Sequence, residues 1–569
     1  MYRNEHPNPQ FKRDSYICLN GLWEFGKGKC KNAADPALTG KIEVPFCPES
    51  VLSGIGDTDY ITDCIYSRII TLTKEDLAER LVLHFGAVDY VAKVYVNGKF
   101  ALKHTGGYTA FEVDIAPFAV VGENRITVAV HDDIKENIPS GKQSKEPEPH
   151  DCFYTRTTGI WQTVWLEKTP KDYIKCVKFY PDAENKCVKA EVFVSGCGNV
   201  RVNVFFDGKA VGFAEGDCEY RRVFEIPLSD IRLWEVGKGN LYDVEIIFGN
   251  DKVYSYFGLR TVSYNGRKFK INGKSVFQRL VLDQGYYEDG IYTAKEASQF
   301  EKDIKLSMSL GFNGARLHQK VFEQRYLYES DKAGYLVWGE FPSWGMKYDT
   351  VASLGTFVSQ WCEVIEQYFN HPSIIIWCPL NEVWEDLENN KLIRDIRFVE
   401  AAYSATKTLD PTRPCVDTSG GYHGRFTDIF DFHNYHLSEK TLKFVADIKN
   451  SDILTMDKTF APAAAQENVP YDGKLPLIAS EYGGMAYAGK GKSWGYHTFN
   501  TEDDFLAEYL EMTKSYLFCD KISGFCYTQL YDVEQEQNGL FFYDRKSKFS
   551  DKTLKEIADC NKLAAAIEK

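Results

Sequence analysis

Up to about residue 260, apolar and polar positions alternate with a period of two in short runs broken by turns. RLVLHFGAV, YVAKVYVNGK, NRITVAVHDD and WQTVWLEK read as half-buried strands. Asn97-Gly98 between two such runs predicts a two-residue hairpin turn, because a type I′ turn needs positive φ at both central residues. A second β series begins near Asp172, with KCVKAEVFVSG, RVNVFFDGKA and LYDVEIIFG. Its length of about 90 residues predicts a small sandwich of about seven strands.

From about Lys268 the pattern changes. Eight short apolar runs appear: VFQRLVL, GFNGARLH, YLVWGEF, SIIIWCPLNE, RPCVDTS, IFDFHNYH, LPLIASEYGG and ISGFCYTQL. Amphipathic stretches of helical period separate most of them, among them TFVSQWCEVIEQYFN and DDFLAEYLEMTKSYLF. Eight strand–helix units in about 300 residues predict a (β/α)8 barrel. A doubly wound sheet would want a GxGxxG after an early strand, and none is present. The expected architecture is a multidomain chain with domains at 1–170, 171–262 and 263–569.

Composition adds modest limits. Aromatics make up 14% of 569 residues, which suits both strand cores and sugar-stacking surfaces. The net charge of −14, without a Lys/Arg block, argues against nucleic acid as a partner. The N-terminus has no basic region followed by an apolar one, and no run reaches the roughly 18 apolar residues of a membrane span. Fifteen scattered Cys, with no CxxC, read as reduced thiols, so a cytoplasmic protein is expected.

Barrel active sites form where the strands end, at their C-terminal side. The fourth run ends in Asn381 and Glu382, and the seventh places Glu481 at the rim. The second offers Arg316 and His318, the sixth His433 and Tyr435, the eighth Tyr527 and Gln529. Two carboxylates across a barrel mouth suit glycosidic cleavage, in which one acid attacks the anomeric carbon and the other handles the proton. A structural ion pair is the competing reading for either Glu alone, and His318 and His433 read equally as satisfied structural histidines. The 11 His show no HxH or HxxxH spacing of a zinc site.

Longer motifs carry a resemblance. LNGLWEF, VPFCPES, HFGAVDYVAKVYVNG, SGKQ (Ser140–Gln143), GIWQTVWLE, FGLRTV, NHPSIIIWCPLNE and IASEYGG occur in the order found in glycoside hydrolase family 2, which contains β-galactosidases, β-glucuronidases and β-mannosidases. The resemblance implies an N-terminal β jelly roll, an immunoglobulin-like β-sandwich and a C-terminal TIM barrel, and a retaining mechanism. It implies Glu481 as nucleophile and Glu382 as acid/base. It implies that Asn381 bonds the 2-hydroxyl, that Arg316 and Tyr435 support Glu481, and that Asp283 binds ring hydroxyls. Tyr527 stands where many relatives carry a stacking Trp, which leaves Trp338, Trp344 and Trp384 as candidates for that role.

Two departures concern the sugar. The glucuronidases' Asn-x-Lys after strand eight reads Asn538-Gly539-Leu540 here, with Lys320 from strand two as the candidate replacement cation. The magnesium-binding Glu and His after strand three of large β-galactosidases reduce to Glu340, so no cofactor and no metal are expected. The expected activity is exo-hydrolysis of a glycoside or oligosaccharide, β-galactosidase-type first, with β-glucuronidase, β-galacturonidase or α-L-arabinopyranosidase as alternatives. A non-catalytic carbohydrate-binding protein is the alternative of a different class. A homo-oligomer is left open.

Overall fold

The computed structural model describes residues 2–133, 137–383, 386–388, 391–451, 471–488 and 493–569. In the first domain a four-stranded and a six-stranded antiparallel sheet enclose a core that includes Trp23, Tyr66, Leu83, Val94 and Val128. The Val91–Val96 and Lys99–Thr105 strands form the expected hairpin, with φ of 51° at Asn97 and 78° at Gly98. The second domain has five strands rather than seven. Two of them, Cys187–Phe206 and Lys209–Pro227, are long. The register of that pair shifts between Phe193 and Cys197. The first half of Cys187–Phe206 pairs with Ile174–Asp182 and the second half with Tyr242–Phe248. One bent strand thus does the work of two short ones, because a bulge redirects a strand without ending it.

Among the described residues the barrel carries seven parallel strands. In spatial order they are Ile374–Cys378, Leu336–Glu340, Gly314–Leu317, Gln278–Asp283, Gly524–Thr528, Leu477–Gly483 and Phe430–Asn434. The fifth expected strand, RPCVDTS, is present as an extended segment joined to its neighbour by isolated parallel bridges, Trp377 to Cys415 and Asn381 to Ser419. Its polar side chains explain the short ladder. Thr418 N–H donates to its neighbour Asp417 Oδ1 at 2.9 Å, and Ser419 Oγ donates to Asp431 Oδ2 at 2.6 Å. Such local bonds compete with regular strand pairing.

Strand alternation sorts the barrel residues. Leu280, Leu282, Trp338, Ile376, Cys378, Ile478 and Cys526 share the inner core cluster. Val281, Val337, Trp377, Phe432, Ala479, Phe525 and Tyr527 belong to the cluster under the helices. No helix is long and apolar enough to cross a membrane among the described residues. All fifteen cysteines are free.

Candidate active site

Arg316 is the hub. Strand Gly314–Leu317 aims it inward, between outward-facing Ala315 and Leu317. Its Nε donates to Glu340 Oε2 at 2.6 Å and its Nη1 to Glu481 Oε1 at 2.6 Å, while Nη2 donates to Asn381 Oδ1. A planar guanidinium with five fixed donors can orient three groups at once. Burial would pull its pKa down, but Glu340 and Glu481 drive it well upward.

Glu481 sits on a bulge. Strand six pairs Phe432 with Ala479 and His433 with Glu481, so Ser480 is the extra residue. Bulges re-aim side chains at barrel rims. The Glu481 carboxylate is buried, and its Oε2 accepts from the Tyr435 hydroxyl. Burial alone would raise its pKa, yet His433, Arg316 and His318 together with the Tyr435 hydrogen bond carry it far below the carboxylate range. Tyr435 is itself pushed well up by burial and by Glu481, so it stays a donor. Its ring stacks on Tyr496 at 3.6 Å between centroids.

Glu382 is held differently. It has φ 51°, a left-handed backbone uncommon for a non-glycine residue and typical of functional sites. The turn is pinned by Glu382 N to Ser419 O at 2.8 Å and Val383 N to Thr418 Oγ1 at 3.2 Å. Its side chain is 28% exposed against 5% for Glu481, so solvent and a leaving group reach it more readily. His433 stands between the two acids, with Nδ1 2.8 Å from Glu382 Oε1 and Nε2 3.3 Å from Glu481 Oε1. Burial lowers its pKa, but Glu481 and Glu382 raise it further, and the net shift is upward. One oxygen of each acid and a nitrogen of His433 lie within 4.8 Å of one another. These are also metal-ligand types. Glu481, however, already accepts from Arg316 and Tyr435, whose donors a cation would have to displace.

The other sequence candidates divide. Asn381 gives its oxygen to Arg316, and its buried Nδ2 has no partner among the described residues. His318 lies 3.0 Å from Glu340, with its pKa lowered by burial. Three candidates do not reach the mouth. Trp338 is in the inner core with its indole N–H on Gln278 Oε1 at 2.7 Å. Tyr527 points outward onto Tyr482 and Tyr509 at 5.4 and 5.0 Å, and the inward neighbour Thr528 lies 3.2 Å from the Tyr435 hydroxyl. Asp283 also faces the helix side, where Tyr326 donates at 3.1 Å and Tyr531 donates as well. For Tyr527 and Asp283 strand alternation, a period of two, decides the face, whereas Trp338 faces inward but lies two residues below the strand end at Glu340. Lys320 is a fourth correction. Its ammonium is enclosed by aromatic rings, donates to the carbonyls of Gly285 and Tyr292, and has a pKa lowered by burial to about 7. Trp384 lies outside the described residues. Trp344 is partly buried and donates its indole N–H to Asn381 O at 3.2 Å.

Sequence reasoning missed the layer behind Glu382. His423 Nδ1 lies 2.6 Å from Asp417 and Nε2 3.2 Å from Asp431 Oδ1. Burial opposes its charge, but those two carboxylates raise its pKa to about 10. Asp431 in turn holds Ser419, whose carbonyl takes the Glu382 N–H. The available signal was a run of Asp, Ser and His, DTSGGYH, at a barrel strand end. Glu340 was noted only as a metal-ligand remnant. It is instead the shared partner of Arg316, His318 and the Gln319 N–H.

A hub arginine, a bulged carboxylate and a second carboxylate on a strained turn, at the rim of a barrel behind two β domains, define a glycoside-hydrolase site. The chain belongs to glycoside hydrolase family 2: the family's sugar binding domain matches residues 55–170 and its TIM barrel domain residues 264–560. Among its relatives, the β-glucuronidase of Streptococcus agalactiae is 24% identical over 93% of this chain and 94% of its own. The human β-glucuronidase is 25% identical over 86% and 80%. A solved β-glucuronidase from an uncultured Clostridium sp. shares the fold at TM-score 0.78 and 22% identity, covering 97% of this chain and 99% of that one. A β-galacturonidase from Eisenbergiella tayi does so at 0.75 and 20%, covering 99% of each.

Proposed function

We propose that the chain hydrolyses terminal β-glycosides with retention, using Glu481 as nucleophile and Glu382 as acid/base. The observation that carries this is the paired but unequal carboxylates, with one oxygen of each within 4.8 Å of the other. That closeness suits a nucleophile and leaves no room for the water of an inverting enzyme. Glu481, kept ionised by Arg316, His433 and Tyr435, attacks the anomeric carbon as the bond to the aglycone oxygen breaks. Glu382 gives its proton to that oxygen, then takes one from the water that releases the sugar. The unpartnered Asn381 Nδ2 is available to the 2-hydroxyl, a contact that strengthens in the transition state. NMR of the first-formed product from a nitrophenyl glycoside tests the reading: retained anomeric configuration supports it, and inversion rejects it.

For the sugar, the named relatives are β-glucuronidases and a β-galacturonidase, which supports a β-uronide as the first reading. A specific observation favours a second, a neutral β-galactoside-type sugar: Leu540, where the family's carboxylate-gripping Lys would stand, is buried in the core under the helices. Turnover of nitrophenyl β-D-glucuronide, β-D-galacturonide, β-D-galactoside and α-L-arabinopyranoside separates the two.

A further inference from the structure

Lys142 lies in the first domain, in the SGKQ motif, yet it reaches the barrel mouth. Ser140 and Gly141 both donate backbone N–H groups to Trp344 O, at 2.9 and 3.2 Å. Gly141 has φ 58°, and a Cβ there would fall 2.1 Å from Gln319 O, so only glycine lets the loop press this close to the end of barrel strand two. On the other side Gln143 donates to Asp89 Oδ2 at 2.9 Å, and Tyr154 N–H donates to Lys142 O at 2.8 Å. The loop is therefore fixed, and Lys142 is buried, at 5% exposure.

The Lys142 ammonium is under-used. Its one hydrogen bond among the described residues is a long one, 3.5 Å to Glu536 Oε2. Glu536 has better donors, since Tyr154 donates to Oε2 and Asn538 Nδ2 to Oε1 at 3.1 Å. An ammonium has three donors, and a buried donor left unmet is costly. Two are unspent here. Its Nζ lies 6.0 Å from the centre of the Trp344 ring, whose indole N–H donates to the carbonyl of Asn381 beside Glu382, so the spare donors belong to the same pocket. Among the described residues, the neighbouring cations are committed elsewhere. Arg316 is spent on Glu340, Glu481 and Asn381. Lys548 is held by Asp532 and by Gln537 O, and Arg545 by Asp303. Lys320 is enclosed.

We propose that Lys142 is the specificity-determining cation of the pocket, a first-domain residue whose free ammonium donors receive the C6 carboxylate of a terminal β-uronide in place of the cation missing at Leu540. Asn538 then serves the site indirectly, by fixing Glu536. The proposal rests on the glycosidase reading above and on its uronide branch.

The test is Lys142→Met assayed on nitrophenyl β-D-glucuronide, β-D-galacturonide and β-D-galactoside, with Tm as a check of folding. The expected result is a loss on the order of 100-fold in kcat/KM for the uronides, with the galactoside within about threefold of wild type. An equal loss on all three, or a uronide-to-galactoside ratio that the substitution leaves unchanged, overturns the proposal. Binding of free D-glucuronate, read as a rise in Tm, gives a second arm that does not depend on turnover. Stabilisation of the wild type but not of Lys142→Met supports the site even if no glycoside is hydrolysed, a result that would sink only the catalytic reading. No stabilisation of either protein together with turnover of neutral glycosides alone overturns the Lys142 assignment and leaves the catalytic reading standing.

Discussion

Tyr435→Phe isolates one contact of the nucleophile. The ring and its stack on Tyr496 at 3.6 Å are retained, so packing changes little. What is lost is the hydroxyl that donates to Glu481 Oε2. Oε1 keeps Arg316 Nη1 at 2.6 Å, but the buried Oε2 is left without its donor. A hydrogen bond to a charged group contributes about 1.5–3 kcal/mol, which corresponds to roughly 10- to 150-fold in rate where the interaction serves the transition state. The direction with pH follows from the sign of the shift. Glu481 has a depressed pKa in the fold, so the stability and reactivity tied to its charge are present above the ordinary carboxylate range and lost as pH falls through the folded value. Removing Tyr435 raises that folded value, but His433 and Arg316 still hold it low, so between pH 4 and 9 the loss appears in the height of kcat/KM rather than in its acid limb. The assay is kcat/KM for a nitrophenyl glycoside from pH 4 to 9, with Tm at each pH. Activity within about threefold of wild type across that range would refute the claim that the Tyr435 hydroxyl supports the nucleophile.

Other outcomes follow from the same geometry. Glu481→Gln abolishes formation of the glycosyl-enzyme, seen as no trapped adduct by mass spectrometry with a 2-fluoro glycoside. Glu382→Gln spares aryl leaving groups of low pKa far more than alkyl ones, since the former need little protonation; equal loss on both would contradict its role as acid. Asn381→Ala removes the free Nδ2 and lowers kcat by about 10²-fold on the natural sugar, with a much smaller effect on the 2-deoxy glycoside. His423→Gln breaks the ion pairs with Asp417 and Asp431 behind the Glu382 turn, costing about 3 kcal/mol by the measure for broken buried pairs, read as a lower urea midpoint.

The domain order and the barrel were legible because they rest on patterns several residues long. Period-two runs announced the two β domains, and apolar runs ending in Asn381-Glu382 and Glu481 marked two strand ends. Strand five was legible as a run but not as a weak ladder, since the Thr418 N–H bond to Asp417 and the Ser419 bond to Asp431 are made within a segment that still reads as apolar at Cys415 and Val416. Trp338 was misplaced by depth, since it faces inward like Glu340 but sits two residues below it, and Tyr527 and Asp283 were misplaced by face. A residue at a strand end is assigned to the mouth only after its parity is known, and parity shifts wherever a bulge such as Ser480 intervenes.

Lys142 is a harder case for any reading of the chain. Sequence neighbours say nothing of its role, because Glu536 lies 394 positions away and Trp344 about half as far. The motif SGKQ was visible, but its meaning depends on a close approach that Gly141 alone permits. A specificity residue supplied by one domain to another's pocket separates two tasks that the barrel would otherwise combine. Strand ends hold Glu382 and Glu481 rigidly for the chemistry, while a loop of the first domain can exchange one cation for another group without disturbing Arg316 or the bulge at Ser480. Exchanging Lys142 should therefore change which sugar is accepted before it changes how the bond is broken.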